Sequence, residues 1–136
     1  MVEINIDYEG GLHCAATHGP SGSKIATDAP VDNNGRGEAF SPTDLAATAL
    51  GSCMLTVMGI VAERKGLEMS GAKVSVRKHM SAESPRRIAK LELDFHMPLS
   101  ADHPERELLE ATGKGCPVHH SLHPDIDVVM NWSWEG

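Results

Sequence analysis

The feature that most constrains how this sequence folds is a run of eighteen residues, 45–62, without a charged side chain. The segment Ser-Pro-Thr-Asp at residues 41–44 precedes this run. It combines an N-cap serine, a proline at the first helical position and an acidic residue three positions after the cap, which is a typical helix start. Gly66 follows the run, and glycine commonly ends a helix. The pattern predicts one long α-helix over residues 42–65.

An uncharged run of this length is long enough to cross a bilayer, so a membrane span is one interpretation. The run, however, includes three hydroxyl side chains and four alanines, which lower its hydropathy. The segments on both sides alternate polar and apolar residues, as the strands of soluble proteins do. We therefore expect a buried core helix in a soluble protein, without membrane contact.

A helix that is apolar on nearly all sides must be covered on nearly all sides. Because a chain of 136 residues offers few other elements, we expect a second copy to supply part of this cover in an intimate homodimer. Gly51 and Gly59 are predicted to lie on one face of the helix and to admit another backbone closely. Close packing would offset the helix propensity lost at each glycine, up to about 1 kcal/mol relative to alanine.

Alternating apolar side chains predict six strands in addition to the long helix. Three short strands form an N-terminal β-meander before the helix, a long hairpin follows it, and one strand closes the chain. A short amphipathic helix and one further helical turn connect the hairpin to the last strand. The order βββ–α–ββ–α–β predicts an α+β fold in a single domain over residues 1–136. The predicted strands are residues 2–8, 12–17, a short one near 25, 72–80, 88–97 and 126–134, and the predicted helices are 42–65, 103–115 and 116–122.

The composition is that of an ordinary soluble protein, with 23% charged and 40% hydrophobic residues. A net charge of −7, without a cluster of Lys and Arg, argues against a nucleic-acid-binding protein. The first residues carry carboxylates and alternate in polarity, unlike a secretory signal. We therefore expect a cytoplasmic protein whose cysteines stay reduced.

The three cysteines occupy different sequence environments. Cys14 lies in a predicted strand and is interpreted as a core filler. Cys53 lies in the middle of the long helix, where the helix dipole has little effect on a thiol, so it is either a core residue or a thiol activated from outside its helix. Cys116 lies between Gly115 and Pro117 at a predicted helix start, where unpaired N–H groups favour an anion.

A second candidate site follows Cys116, because His119, His120 and His123 complete a C-x-x-H-H-x-x-H run. Cysteine and histidine are zinc ligands. The run lacks the second ligand pair of a structural zinc site, and a solvated turn is the simpler interpretation. We expect no metal here.

The segment "SPTDLAATALGSC", followed 63 residues after its cysteine by "CPVH", resembles the OsmC/Ohr family, named for osmotically induced and organic hydroperoxide resistance proteins. The resemblance extends over nearly the whole chain. It implies an OsmC-like α+β fold with a long buried central helix, an intertwined homodimer, and no metal or organic cofactor.

The resemblance also implies a reaction, the reduction of organic hydroperoxides to alcohols. Cys53 would be the peroxidatic thiolate that becomes a sulfenic acid, and Cys116 would resolve it as a disulfide. A dithiol reductant, lipoyl-type or thioredoxin-like, would restore both thiols. Leu50, Met54 and Val57 are predicted to supply an apolar pocket beside the Cys53 sulfur.

The chain departs from the family pattern at the start of the long helix. The peroxidases of the family usually carry a glutamate directly after the proline, paired with an arginine that activates the thiolate. Here Thr43 takes that place and Asp44 follows, either as a functional acid or as a helix cap. Arg36, in the glycine-rich loop 29–40, is the candidate activating cation. These departures leave open an alternative, a non-peroxidase member that binds a small apolar ligand at the dimer interface.

Overall fold

The structure is a computed structural model that describes all 136 residues. It contains six strands, three α-helices and one short 3₁₀ turn, in the order βββ–α–ββ–αα–β. The chain forms two compact units, residues 1–46 and 47–136, and the long helix α1 (Pro42–Arg64) runs from the first into the second. The predicted α+β architecture is confirmed. The assignment of residues 1–136 to a single domain stays a prediction.

The first unit is a three-stranded antiparallel sheet, the predicted β-meander. Strands β1 (Ile4–Tyr8), β2 (His13–His18) and β3 (Lys24–Asp28) pair in sequence order. The predicted second strand begins one residue too early, because Leu12 lies in the β1–β2 turn with a φ of 60°. Its left-handed backbone cannot join an extended ladder.

One face of this sheet carries large apolar side chains that are exposed in the single chain. Ile4, Ile6 and Tyr8 alternate along β1 with 57%, 65% and 65% of their surface accessible, and Ile25 of β3 follows with 53%. Cys14 pairs in register with Tyr8 and is half-buried. The prediction that Cys14 fills a core is therefore wrong for the single chain, where its thiol is only half-buried.

Helix α1 begins and ends nearly as predicted. Ser41 and Asp44 form the reciprocal hydrogen bonds of a capping box, and Gly66 adopts a φ of +68° just beyond the last turn. By length and composition alone α1 qualifies as a membrane-spanning helix, with a mean hydropathy of 1.9 over its most apolar window, as core helices of soluble proteins also do.

The burial of α1 is one-sided within the chain. Six of its residues are buried along one face, whereas residues 48, 52, 56 and 60 lie on an exposed face. The expectation of cover on nearly all sides is therefore not met by this chain alone. The buried residues of α1 are Ala47, Leu50, Gly51, Met54, Met58 and Ala62.

The second unit contains a sheet in the order β4-β5-β6. Strands β4 (Lys73–Met80) and β5 (Ile88–Ser100) form the predicted antiparallel hairpin, and β6 (Asp127–Glu135) pairs with β5 in parallel. A parallel partner requires a crossover connection. This connection holds helices α2 (Arg106–Lys114) and α3 (Pro117–Ser121), the predicted amphipathic helix and helical turn.

The core of the second unit lies between α1 and the buried face of β5. Leu50, Met54 and Met58 from α1 and Leu93 and Phe95 from β5 are fully buried there. Alternation along β5 places every second side chain in this core, as its sequence predicts. The core therefore fixes the inward side of α1.

The two glycines of α1 do not share a face, contrary to the prediction. A Cβ on Gly51 would approach side-chain atoms of Val76 and Val74 at 3.0 and 3.2 Å, so Gly51 lies against β4. A Cβ on Gly59 would meet nothing within 4 Å. Eight residues at about 100° each rotate a side chain by roughly 80° beyond two full turns, which separates the two positions.

Candidate functional site

Cys53 lies in the middle of α1, on the edge of its buried face. Its side chain is half-buried and packs against the core of the second unit. Its position is fixed by the turns of α1 on either side, where Leu50 and Met54 anchor the helix in the core. A rigid helix thus holds the Cys53 sulfur at one place on the rim of the core.

Cys116 is fully buried at the junction between α2 and α3. It is the N-cap of α3, with an extended backbone, and Pro117 follows at the first helical position. The Cys116 Sγ accepts a hydrogen bond from the backbone N–H of His119 at 3.3 Å. The prediction that Cys116 begins a helix is confirmed.

The fold brings the two thiols together, because Cys116 lies close enough to Cys53 for the Cys53 side chain to affect the Cys116 pKa. Burial raises the pKa of the Cys116 thiol above its ordinary value, and the hydrogen bond and negative charge of Cys53 act in the same direction. The His119 N–H lowers this pKa but does not outweigh burial. The N–H groups at this helix start favour a Cys116 anion, as expected, but burial outweighs them and the net effect is a raised pKa.

Arg36 lies in the first unit, near the buried carboxylate of Asp28. The positive charge of Arg36 contributes to lowering the pKa of Asp28, and the Arg36 Nη2 would lie 3.1 Å from a Cβ on Gly11. The largest cause of the lowered pKa is the hydrogen bond to His13, whose Nδ1 lies 2.6 Å from the Asp28 Oδ1. Arg36 is thus held beside β2 and β3.

Sequence reasoning did not find the pair of His13 and Asp28. Asp28 is only 3% exposed, and the two residues are opposite each other in the β2–β3 register. Glu9 lies on the other side of the ring, with its Oε1 3.4 Å from the His13 Nε2. The signal that could have found this pair is the register of the hairpin. That register depends on the residue at which the turn ends, and alternation of polar and apolar residues does not specify it.

Asp44 caps α1. Its carboxylate accepts a hydrogen bond from the backbone N–H of Ser41 at 2.9 Å, and its own N–H donates to the Ser41 Oγ at 3.0 Å. Thr43 contacts the same Ser41 hydroxyl at 3.2 Å. The sequence allows Asp44 to be either a functional acid or a helix cap, and the structure contains the hydrogen bonds of the cap.

The three histidines after Cys116 do not share a common partner. The His119 Nδ1 lies 2.6 Å from the carbonyl oxygen of Lys114, His120 is exposed, and the His123 Nδ1 accepts a hydrogen bond from the N–H of Asp125. No three His, Cys, Asp or Glu side chains converge to hold a metal ion. The contacts of His119 were not predicted, although its position three residues after an N-cap is the spacing of a capping pair.

The apolar pocket predicted beside Cys53 is wrong for two of its three residues. Leu50 and Met54 are fully buried in the core and present no surface to a substrate, whereas Val57 is half-buried. The periodicity of α1 places Leu50 and Met54 on the inward face, so they support the helix rather than line an opening.

The comparisons with known proteins agree with this architecture. A protein from Psychrobacter arcticus 273-4, provisionally named as an osmotic stress induced and detoxification response protein, is 41% identical, with a TM-score of 0.92 and coverage of 98% of this chain and 96% of that one. The organic hydroperoxide resistance protein OsmC of Legionella pneumophila is 18% identical, with a TM-score of 0.77 and coverage of 98% and 96%. An OsmC-like protein from Mycoplasma pneumoniae is 15% identical, with a TM-score of 0.79 and coverage of 100% and 98%. The last two show a shared fold.

No curated protein matches the sequence. The family described as OsmC-like protein matches residues 35–131, which is well over half of the chain and includes α1, both thiols and the second sheet up to the middle of β6. Together with the solved structure at 41% identity, this match decides the family. The chain belongs to the OsmC-like family.

Proposed function

We propose that this protein is a thiol peroxidase that reduces organic hydroperoxides to alcohols through Cys53 and Cys116. One observation carries the proposal: two cysteines 63 residues apart in sequence are neighbours in the folded chain, close enough for Cys53 to affect the pKa of Cys116. The Legionella pneumophila relative is named as an organic hydroperoxide resistance protein, and its fold is the same. Paired thiols need no metal or organic cofactor for this reaction.

In the first step the Cys53 thiolate attacks the distal oxygen of the hydroperoxide. The S–O bond forms as the O–O bond breaks, and the leaving alkoxide takes a proton to become the alcohol. Cys53 is thereby oxidised to a sulfenic acid. The thiolate requires a stabilising cation, and Arg36 is the candidate for that role. Asp44 is the candidate acid at the start of the helix.

In the second step Cys116 attacks the Cys53 sulfenic sulfur. The S–S bond forms, the S–O bond breaks, and the leaving hydroxide takes the Cys116 proton to become water. A dithiol reductant, lipoyl-type or thioredoxin-like, then reduces the disulfide and is itself oxidised to a disulfide. This cycle requires a compartment that keeps the thiols reduced, such as the cytoplasm.

The electrostatics of the pair support this order of events. While Cys53 is a thiolate, its negative charge raises the pKa of Cys116 and keeps the Cys116 proton in place. The sulfenic acid is neutral, so this contribution ends once Cys53 has reacted. Cys116 is therefore a weaker nucleophile before the first step than after it.

Stopped-flow oxidation with cumene hydroperoxide tests the proposal. One equivalent of peroxide should convert two thiols of the wild-type protein into one disulfide, detected as a mass loss of two hydrogens in the peptide pair containing Cys53 and Cys116. Cys53→Ser should abolish peroxide consumption, because no other residue can carry the first step, whereas Cys14→Ser should leave it unchanged. Full turnover by Cys53→Ser contradicts the proposal.

The second candidate function is the binding of a small apolar ligand between subunits without peroxidase activity. The capping geometry of Asp44 favours it, because a carboxylate that accepts the Ser41 N–H is partly committed to the helix start. A Cys53 thiol that titrates at or above the ordinary value of about 8.5 and reacts slowly with hydroperoxides would support this function instead.

The proposal includes a homodimer, the usual assembly of this family. The exposed apolar side chains of β1 form a surface that water does not favour, and the open face of α1 carries no charge. A second copy of the chain would cover both. Sedimentation equilibrium should give twice the chain mass of 14.6 kDa.

A further inference from the structure

The chain makes a sharp change of direction around Cys116. Helix α2 ends at Lys114, Gly115 closes its last turn through hydrogen bonds to carbonyls of that turn, and α3 begins directly after Cys116. Gly115 and Cys116 thus separate the helices and form the corner between α2 and α3, where the Cys116 sulfur is buried. The direction of the Cys116 side chain depends on how this corner is held.

His119 makes two bonds across this corner. Its backbone N–H donates to the Cys116 Sγ at 3.3 Å, and its ring Nδ1 lies 2.6 Å from the carbonyl oxygen of Lys114. A carbonyl oxygen only accepts, so Nδ1 carries the hydrogen. The ring donates in this way both in the neutral tautomer with a hydrogen on Nδ1 and as an imidazolium.

The ring bond joins the end of α2 to the start of α3. Carbonyls in the last turn of a helix lack intrahelical partners, and the His119 ring supplies one to Lys114. The other end of the same residue binds the sulfur. A single residue, through its ring and its backbone N–H, therefore contacts the segment before Cys116 and the Cys116 sulfur itself.

The neighbouring histidines have no such contacts. The ring of His120 is exposed, and its centroid lies 6.4 Å from that of His119 in a tilted arrangement. His123 receives the N–H of Asp125 within its own turn. The three histidines thus separate into one that contacts the corner and two that do not, and His120 is a matched control.

We propose that His119 is a positioning residue for Cys116, holding its sulfur in line with the Cys53 sulfur for disulfide formation. This inference rests on the proposed peroxidase cycle and concerns only its second step. The two sulfurs must move from non-bonded neighbours to a bond of about 2 Å with a defined dihedral angle. Such steps depend steeply on the orientation of the reacting atoms. Loss of the ring bond frees the corner and slows the attack of Cys116 on the sulfenic acid.

The test compares two His119 variants, with His120→Phe as the control, in a Cys14→Ser background. His119→Phe keeps a ring without a donor, and His119→Asn keeps an N–H donor close to the position of Nδ1. Sulfenic acid trapped by dimedone and disulfide measured by mass spectrometry after rapid quench separate the two steps. We expect His119→Phe to form the disulfide about fivefold more slowly, the effect of one hydrogen bond on a rate, with sulfenic acid formed at the wild-type rate. His119→Asn should recover most of the loss, and His120→Phe should cause none.

A second measurement uses no peroxide. Dithiobis(nitrobenzoate) forms a mixed disulfide with Cys53 and releases one coloured thiolate, and attack by Cys116 then releases the second. The second phase should be slower in His119→Phe by the same factor. If peroxide does not oxidise Cys53 in the wild-type protein, the proposed function fails while this phase still decides the role of His119.

Two outcomes overturn the inference. One is a second phase in His119→Phe as fast as in the wild-type protein. The other is a His119→Asn variant as slow as His119→Phe, because the donor would then not matter. Thermal unfolding establishes that each variant folds, and His119→Ala replaces His119→Phe should the latter not fold.

Discussion

At the scale of single residues, the Cys53 and Cys116 thiols share a contact and differ in their surroundings. Cys53 lies at the rim of the core on a long helix, whereas Cys116 is fully buried at a corner between two short ones. Burial keeps the proton on Cys116, and its sulfur is already engaged by the N–H of His119. In the proposed cycle the half-buried thiol would meet the peroxide, and the buried one would meet only Cys53.

Cys116→Ser tests this division. The serine hydroxyl accepts the same N–H of His119, so the variant should fold, with a loss of about 1 kcal/mol or less in the free energy of unfolding. After one equivalent of cumene hydroperoxide, Cys53 should stop as a sulfenic acid that dimedone traps, and excess peroxide should carry it to the sulfinic acid. Mass spectrometry distinguishes these products. A disulfide from Cys53 to Cys14 in this variant would show that Cys116 is not the resolving residue.

The pair of His13 and Asp28 predicts a dependence of stability on pH. The hydrogen bond from His13 holds the pKa of Asp28 below its ordinary value, with Arg36 acting in the same direction and burial opposing both. A carboxyl whose pKa is lower in the folded state stabilises the fold above its unfolded pKa, near 4, and loses that contribution as pH falls through the folded pKa. We expect Asp28→Asn to be less stable than the wild-type protein at pH 7, with the difference shrinking below about pH 4.

Urea unfolding at a series of pH values measures this effect. Asp102→Asn, at an exposed carboxylate in the turn before α2, is the control and should follow the wild-type curve. A difference between Asp28→Asn and wild type that stays constant from pH 7 to pH 3 would show that the charge of Asp28 does not contribute.

At the scale of secondary-structure elements, Gly113 shows how closely α2 packs on the core. A Cβ there would lie 2.9 Å from the Met58 Sδ and 3.4 Å from the Trp132 Cη2. The Trp132 ring stacks on Phe95 with centroids 4.1 Å apart, so it has little room to move. We expect Gly113→Ala to destabilise the protein by about 1 kcal/mol, since overpacking of about 1–3 kcal/mol exceeds the gain in helix propensity.

Gly115→Ala is the matched control for this prediction. Gly115 has a φ of −91°, and a Cβ there meets only carbonyl oxygens of the preceding turn at 3.6 Å and beyond. Its stability should stay within about 0.5 kcal/mol of the wild-type value in thermal or urea unfolding. If the Gly113→Ala variant is as stable as the Gly115→Ala variant, the close packing of α2 is contradicted.

Elements whose signals are local were predictable from the sequence. The capping residues of α1 and the alternation along β5 are contained in short segments, and both elements form as predicted. The parallel pairing of β5 with β6 joins residues far apart in sequence and has no local signal. The same limit applies to Cys116, because its position at a helix start is local, whereas the burial that raises its pKa comes from the whole second unit.

At the scale of the whole molecule, exposed apolar side chains are concentrated on β1, whereas the open face of α1 is uncharged and carries hydroxyls at three of its four positions. The β1 residues Ile4, Ile6 and Tyr8 each expose more than half of their surface in the single chain. The open face of α1 carries no charge, which is unusual for a helix face in contact with water. The sequence indicated that α1 needs more cover than one chain supplies, and a second copy related by a twofold axis would present the same surface in return.

Ile6→Asp tests the proposed dimer. Ile6 is 65% exposed in the single chain, so a carboxylate there costs the isolated chain little, whereas in a dimer it would be buried without a partner. We expect Ile6→Asp to sediment at the mass of one chain at concentrations where the wild-type protein has twice that mass. Asn5→Asp adds the same charge on the other face of β1 and should remain dimeric. If Ile6→Asp keeps the mass of the wild-type dimer, or if both variants dissociate alike, this face of the sheet does not form the interface. Only a contact specific to the Ile6 face distinguishes Ile6→Asp from Asn5→Asp.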